Sequence, residues 1–393
     1  MSLNETPLAN RIHIGIFGKR NAGKSSIINA MTGQNLAIVS DVAGTTTDPV
    51  LKAMELLPLG PVVMIDTPGL DDVGELGLMR VQKAYQILNK TDIALIVVDG
   101  TVGITAEDEK IIERIRSKQI PYLIVKNKMD LCERAEEEEN TIFVSAATGQ
   151  NIYELKELIG KLAPREEESR KIVSDILQTN DFVVLVVPID SAAPKGRLIL
   201  PQQQTIRDVL EAGAAAIVTR DNELAETLQN LGKKPRLVIT DSQVFRTVSG
   251  IVPDDVELTS FSILMARYKG DLEINVKGAR ALEHLKDGDK VLISEGCTHH
   301  RQCEDIGTVK LPRWIQEYTG KKLEFQFTSG TEFPVDLSEY ALIVHCGGCT
   351  LNEREMKYRL KCAEDQNIPM TNYGICIAYL NGILERSIRP LGI

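Results

Sequence analysis

A chain of 393 residues, 43% hydrophobic and 25% charged, is too long for one core and has the balance of a soluble globular protein, so two or three domains are expected. The formal net charge of −10 argues against nucleic acid as a partner, because such binders neutralise phosphates with a basic surface. No apolar run approaches the roughly 18 residues of a membrane helix. Residues 1–10 lack a basic patch followed by an apolar run, so no membrane partner and a cytoplasmic location are expected.

From residue 11 to 165, short apolar runs alternate with helix-like stretches. The strands expected at 12–17, 62–65, 94–98, 122–125 and 142–144 are nearly continuous apolar runs, as in parallel strands buried on both faces. Strands alternating with helices imply a doubly wound α/β sheet. A charged stretch at 164–170 reads as a linker or an exposed helix start. The style then repeats, with strands at 183–187, 215–218 and 237–239 and helices near 204–212 and 222–231. Asp190, Asp221 and Asp241 at these strand ends read as turn or cap residues, and no phosphate loop occurs there. Further strands are expected near 291–294, 323–327 and 341–344, with a helix over 352–364. The expected division is 1–168, 169–262 and 263–393, the second and third being α/β domains with parallel sheets.

Four segments in the first domain carry chemistry. Gly18-Lys19-Arg20-Asn21-Ala22-Gly23-Lys24-Ser25 fits the phosphate loop G-x-x-x-x-G-K-[ST], and it follows a strand and opens a helix, as the motif requires. Backbone N–H groups from Gly18 through Ser26 can surround phosphates, Lys24 can reach the β- and γ-phosphates, and the Ser25 hydroxyl can bind Mg²⁺. Asp66-Thr67-Pro68-Gly69 follows the next strand. Asp66 is placed to hold Mg²⁺ through water, and the Gly69 N–H to sense the γ-phosphate. In Asn127-Lys128-Met129-Asp130, an aspartate can accept two hydrogen bonds from guanine, which adenine cannot offer. Ser145-Ala146-Ala147 can present a backbone N–H to guanine O6. Four strand ends, each with its own segment in chain order, indicate a Ras-like P-loop domain that hydrolyses GTP to GDP and phosphate. Leu70 stands after Asp-Thr-Pro-Gly, where Ras-like enzymes carry the water-orienting glutamine.

The segment Ala43-Gly44-Thr45-Thr46-Thr47-Asp48 resembles switch I of the TrmE–Era–Der group of GTPases, whose switch carries Gly-Thr-Thr-Arg-Asp; Thr47 stands where that group often has arginine. The resemblance implies that Thr46 binds Mg²⁺ with Ser25 and Asp66, and that Asn21 helps hold K⁺ against the phosphates, where an arginine finger would otherwise stand. It makes Lys24, Asn21, Thr46 and Gly69 the expected catalytic set.

Six of the seven cysteines lie after residue 290. Cys297-Thr298-His299 and His345-Cys346-Gly347-Gly348-Cys349 both follow expected strands, so both sit at strand ends of one sheet, where α/β folds place ligands. Three thiolates and an imidazole suit a closed zinc site, and three thiolates with a weaker fourth ligand suit an iron–sulfur cluster with one exchangeable iron. The residue types alone leave both open.

A TrmE–Era-type GTPase followed by Cys-x-His and His-Cys-x-x-Cys resembles, over the whole chain, the FeFe-hydrogenase maturation GTPases of the HydF family. That resemblance implies a GTPase, a dimerisation and a cluster-binding domain. It implies a 4Fe–4S cluster on Cys297, Cys346 and Cys349, and a homodimer acting as scaffold or carrier. Its expected partners are two radical-SAM maturases, which make a diiron precursor, and the FeFe-hydrogenase that receives it. The fourth ligand is expected among Asp305, His299 and His345, with Glu304 also in reach and Cys303 as an intruding thiolate. Cys132, Cys362 and Cys376 read as small hydrophobes, and His13 and His284 as bystanders. The competing reading is an RNA- or ribosome-associated GTPase with a structural zinc domain.

Overall fold

A computed structural model describes residues 10–33, 50–67, 69, 87–132, 139–163, 171–189, 198–296, 306–330, 332–334 and 336–393. The chain divides into two compact units, Met1–Glu167 and Glu168–Ile393.

The first unit holds β1 (Ile12–Phe17), β2 (Val50–Leu56), β3 (Gly60–Asp66), β4 (Ile93–Asp99), β5 (Tyr122–Asn127) and β6 (Thr141–Phe143), with helices α1 (Lys24–Thr32), α2 (Ala106–Ser117) and α3 (Ile152–Leu162). The strand order is β2-β3-β1-β4-β5-β6. Among the described strand pairs of this sheet, only β2–β3 is antiparallel. The sequence reading misses β2 because this edge strand lacks the continuous apolar run of the central ones; Val50 and Leu51 are exposed. From Ile93 to Val98 every β4 residue is buried, because helices cover both faces of the sheet. Ile27, Ile28, Met31, Leu155 and Ile159 pack on one face, and Ile111, Ile112 and Ile115 on the other. Helix α2 starts where Thr105 ends the preceding loop, its N–H and hydroxyl both donating to Asp108 Oδ2 at 3.0 and 2.7 Å. From β1 the chain crosses to β3 on one side, then to β4 on the other. That reversal opens a crevice at the carboxyl ends of β1 and β4, where the phosphate loop emerges.

The described residues of the second unit form two four-stranded sheets. One holds β7 (Phe182–Val186), β8 (Ala215–Thr219), β9 (Leu237–Thr240) and β10 (Glu257–Ser260) in the order β10-β9-β7-β8. The other holds β11 (Lys290–Glu295), β12 (Glu324–Ser329), β13 (Tyr340–His345) and β14 (Met370–Asn372) in the order β12-β11-β13-β14. All pairs in both are parallel. The helices are α4 (Leu200–Glu211), α5 (Leu224–Asn230), α6 (Phe245–Ile251), α7 (Phe261–Lys269), α8 (Leu272–Arg280), α9 (Leu311–Thr319), α10 (Glu353–Asp365), α11 (Tyr373–Leu380) and α12 (Leu384–Ile388). Strands β10 (Glu-Leu-Thr-Ser) and β14 (Met-Thr-Asn) are short and largely polar in sequence, so neither shows as an apolar run. One apolar cluster joins Val184, Val186 and Val238 of the first sheet to Val276, Ile375 and Ala378, so helices from both sides of residue 262 share a core. The expected division at 262/263 falls inside α7. Among the described residues, no helix is long and apolar enough to cross a membrane.

Candidate functional site

The loop after β1 is shaped by left-handed backbone at Asn21 (φ 61°) and Gly23 (φ 94°). A Cβ on Gly23 would stand 2.1 Å from Asn127 Nδ2, so both its conformation and its neighbour require glycine. The Lys24 ammonium, on a largely buried side chain, donates to Gly18 O at 2.9 Å and Lys19 O at 2.8 Å, spanning the loop. Helix α1 opens at Lys24, so its N-terminal end faces the same loop. The Ser25 hydroxyl donates to Asp66 Oδ2 at 2.9 Å, bringing two hard oxygen donors from α1 and β3 to one place suited to Mg²⁺. Burial pushes the Asp66 carboxyl above its ordinary pKa, against the Ser25 hydrogen bond and the charges of Lys24 and Lys52. Thr67 is anchored through its hydroxyl to Ile16 O at 2.6 Å, and Gly69, two residues on, is half-buried. Thr46 and Leu70 lie outside the described residues.

Across the crevice, buried Asn127 donates from Nδ2 to Ala22 O at 3.1 Å and accepts from the Ala146 N–H at 3.0 Å. Its amide braces the phosphate loop against the segment that opens at Ser145. The Ser145 hydroxyl donates to Asp130 Oδ1 at 2.6 Å and accepts from the Thr148 N–H at 3.2 Å, fixing the carboxylate that would face a guanine edge. Lys128 sits in left-handed backbone at φ 66° and its ammonium meets Asp99 Oδ2 at 2.5 Å. Burial raises the Asp99 pKa, but the Lys128 ammonium and the Thr101 hydroxyl and N–H outweigh it and hold the group below its usual range. Sequence reasoning passed over Asp99, although it ends an all-apolar strand just as Asp66 does.

In the second unit β11 and β13 are adjacent and parallel, with Ser294 opposite His345. The chains leaving them therefore emerge side by side. The Cys346 sulfur accepts from the Gly296 N–H at 3.0 Å and the Gly348 N–H at 3.4 Å, an arrangement that favours thiolate. Gly348 sits in left-handed backbone (φ 59°), and a Cβ there would lie 2.5 Å from Met356 Sδ, so that side chain would have to move. Lys269, 3% exposed, donates to Gly348 O, Cys349 O and Leu351 O at 3.1, 3.2 and 2.9 Å. Burial lowers its pKa to about 8, opposed by the neighbouring Cys349 and Cys346.

His345 is fully buried and both its ring nitrogens are engaged. Nε2 lies 2.9 Å from Arg359 Nη1, and Nδ1 lies 2.7 Å from Cys346 O. A guanidinium only donates, so Nε2 must present its lone pair and Nδ1 must carry the hydrogen given to Cys346 O. Both ring nitrogens are thus engaged within the protein in this arrangement. Arg359 itself is wholly buried, bound to Glu355 at 2.9 Å and Gly330 O at 2.9 Å, with its guanidinium carbon 5.1 Å from the Phe333 ring centroid. Neither Lys269 nor Arg359 was singled out from the sequence. The signal present was a lysine ending α7 after the apolar run Ile263–Ala266, and the i,i+4 spacing of Glu355 and Arg359.

Cys297, His299, Cys303, Glu304 and Asp305 lie outside the described residues. Among the described residues, no three His, Cys, Asp or Glu side chains converge to hold a metal. Burial pushes the Cys376 thiol up to about 12, which suits a packed core group. Cys362 is half-buried on α10, and Cys132 donates weakly to Lys128 O at 3.6 Å. The soft sulfur of Cys346, cradled by backbone N–H groups, fits an iron–sulfur cluster and also zinc.

The first unit has the fold and the segment order of a guanine-nucleotide-binding P-loop domain, and residues 13–128 match the family model described as 50S ribosome-binding GTPase. Residues 172–270 match the hydrogen maturase F dimerization domain and residues 273–390 its tetramerization domain. The chain belongs to the hydrogen maturase F (HydF) family.

Among curated proteins, the tRNA modification GTPase MnmE of Nitrosomonas eutropha is 33% identical over 156 residues, covering 38% of this chain and 34% of that protein. GTPase Der of Wolinella succinogenes is 37% identical over 195 residues, covering 44% and 40% respectively. The chain thus spans well under half the length of these relatives. Among solved structures, Era in complex with MgGDPNP and a 16S ribosomal RNA segment is 22% identical, with a TM-score of 0.36, covering 53% of this chain and 92% of that one.

Proposed function

We propose that this protein is a GTP-hydrolysing scaffold that carries a 4Fe–4S cluster on Cys297, Cys346 and Cys349 and delivers a diiron precursor to an FeFe-hydrogenase. The observation that carries the cluster reading is the hydrogen bond from the Gly296 N–H to the Cys346 sulfur. It sets the residue just before Cys297 against a second thiolate. When bound, such a cluster supplies an iron whose last coordination place can be exchanged. A carboxylate from Asp305, or the His299 imidazole, would hold that place less tightly than thiolate, and Glu304 is a further donor. The match of residues 172–270 to a dimerization domain supports self-association, and on this reading two radical-SAM maturases are the partners that make the diiron precursor.

In the first unit Lys24 neutralises charge on the β- and γ-phosphates, and Ser25, Thr46 and Asp66 hold Mg²⁺. The Gly69 N–H reports the γ-phosphate, and backbone N–H groups of Gly18, Ala22, Gly23 and Ser26 line the loop. Asp130 selects guanine, while Asn127, Lys128, Ser145 and Ala146 shape the base pocket. With Leu70 unable to orient water, a K⁺ ion held by Asn21 would offset transition-state charge. Hydrolysis is therefore expected to be several-fold faster in K⁺ than in Na⁺ at equal ionic strength, and equal rates would remove the K⁺ role.

The second reading is an RNA- or ribosome-associated GTPase with a structural zinc domain, and the description of the model matching residues 13–128 favours its ribosome part alone. Iron, sulfide and zinc analysis of protein prepared without oxygen separates the two. About four irons and four sulfides per chain support the cluster. Zinc at about one per chain without sulfide supports the alternative.

A further inference from the structure

A buried ammonium loses hydration worth several kcal/mol unless its donors are matched. Lys269 meets that demand with three donors on three carbonyls, all from the stretch 348–351 that contains Cys349. The lysine ends α7, so the partial negative charge of that helix terminus also favours it. The opposite end of α7 is held as well. Asn372, at the end of β14, donates from Nδ2 to Ser262 O at 2.8 Å, and a Cβ on Gly374 would come within 2.3 Å of Ser262 Cβ. Helix α7 is thus fixed at both ends by parts of the sheet that bears the cysteines.

We propose that Lys269 is a positioning residue for the cluster loop: its ammonium gathers the carbonyls of Gly348, Cys349 and Leu351 around one point and sets a positive charge beside the thiolates. The inference rests on the cluster reading above. Lys269 lies within the segment matched by the dimerization model, whereas Cys346 and Cys349 lie within the tetramerization segment. The group that shapes the cysteine loop therefore comes from the neighbouring module.

The test uses the full chain, reconstituted with iron and sulfide without oxygen, as wild type, Lys269→Met and Lys269→Arg. The readouts are iron loss to a ferrous chelator and the reduction potential followed by electron paramagnetic resonance. Removing an outer-shell partner typically costs about 10- to 100-fold in metal retention. Lys269→Met is expected to release iron faster by that factor and to shift the potential to more negative values, with GTP hydrolysis unchanged. Lys269→Arg keeps the charge but cannot seat one nitrogen on three carbonyls, so it should lose iron faster while its potential stays near wild type. If Lys269→Met does not fold, the arginine variant decides alone through its iron loss. Wild-type retention and potential in the variants would overturn the proposal. A wild-type protein that takes up no iron and sulfide would instead overturn the cluster reading beneath it.

Discussion

Lys24→Ala is expected to remove nearly all GTP hydrolysis while leaving a reconstituted cluster intact. The lysine is largely buried, and its ammonium already sits among the carbonyls of the phosphate loop at 2.8 and 2.9 Å, within reach of any phosphate seated there. Truncating one partner of a buried, hydrogen-bonded charge pair costs about 2–5 kcal/mol, or roughly 30- to 5,000-fold in rate if that interaction is made in the transition state. Phosphate release over several hours measures the loss. Iron and sulfide content of the same preparation tests whether the second unit is affected. Loss of both properties would mean that the two activities do not belong to separable units.

The reverse is expected of Cys346→Ser. A serine hydroxyl is a hard, rarely ionised oxygen, and it cannot replace a thiolate on iron. Cys346 also receives two backbone N–H groups, from Gly296 and Gly348, so the change disturbs the meeting of both chain segments as well as the bond to metal. Iron is expected to fall from about four per chain to below about one, with GTP hydrolysis at the wild-type rate. Cys362→Ser, which alters a half-buried thiol on α10, serves as the control and should keep its iron. Full iron retention by Cys346→Ser would end the cluster assignment.

Much of this architecture is legible in the amino-acid sequence because its central strands are doubly buried. Such strands must be continuous apolar runs, and the motifs follow directly from their ends. The missed strands break that rule for physical reasons: β2 lies at an edge with exposed Val50 and Leu51, and β14 (Met-Thr-Asn) carries one apolar residue in three. The roles of Asn127 and His345 were legible only in part. Both stand inside recognisable motifs, but their side chains serve the protein's own framework, Asn127 bridging Ala22 and Ala146, His345 bridging Arg359 and Cys346. No spacing rule distinguishes a ligand from a brace, since that depends on which partners the fold brings within 3 Å or so. Lys269 was hidden for the same reason. Its carbonyl partners lie about 80 residues further along the chain.

The apolar cluster that unites Val184, Val186 and Val238 with Val276, Ile375 and Ala378 bears on how this protein can have changed over time. Close-packed interiors tolerate little mismatch in volume. A recombination event that joined the first sheet of one ancestor to the second sheet of another would have had to reconcile both sides of that interior at once. Among the described residues, none of the GTPase unit belongs to that cluster, so the unit could have been acquired or exchanged whole, whereas residues 172–390 are most readily inherited together.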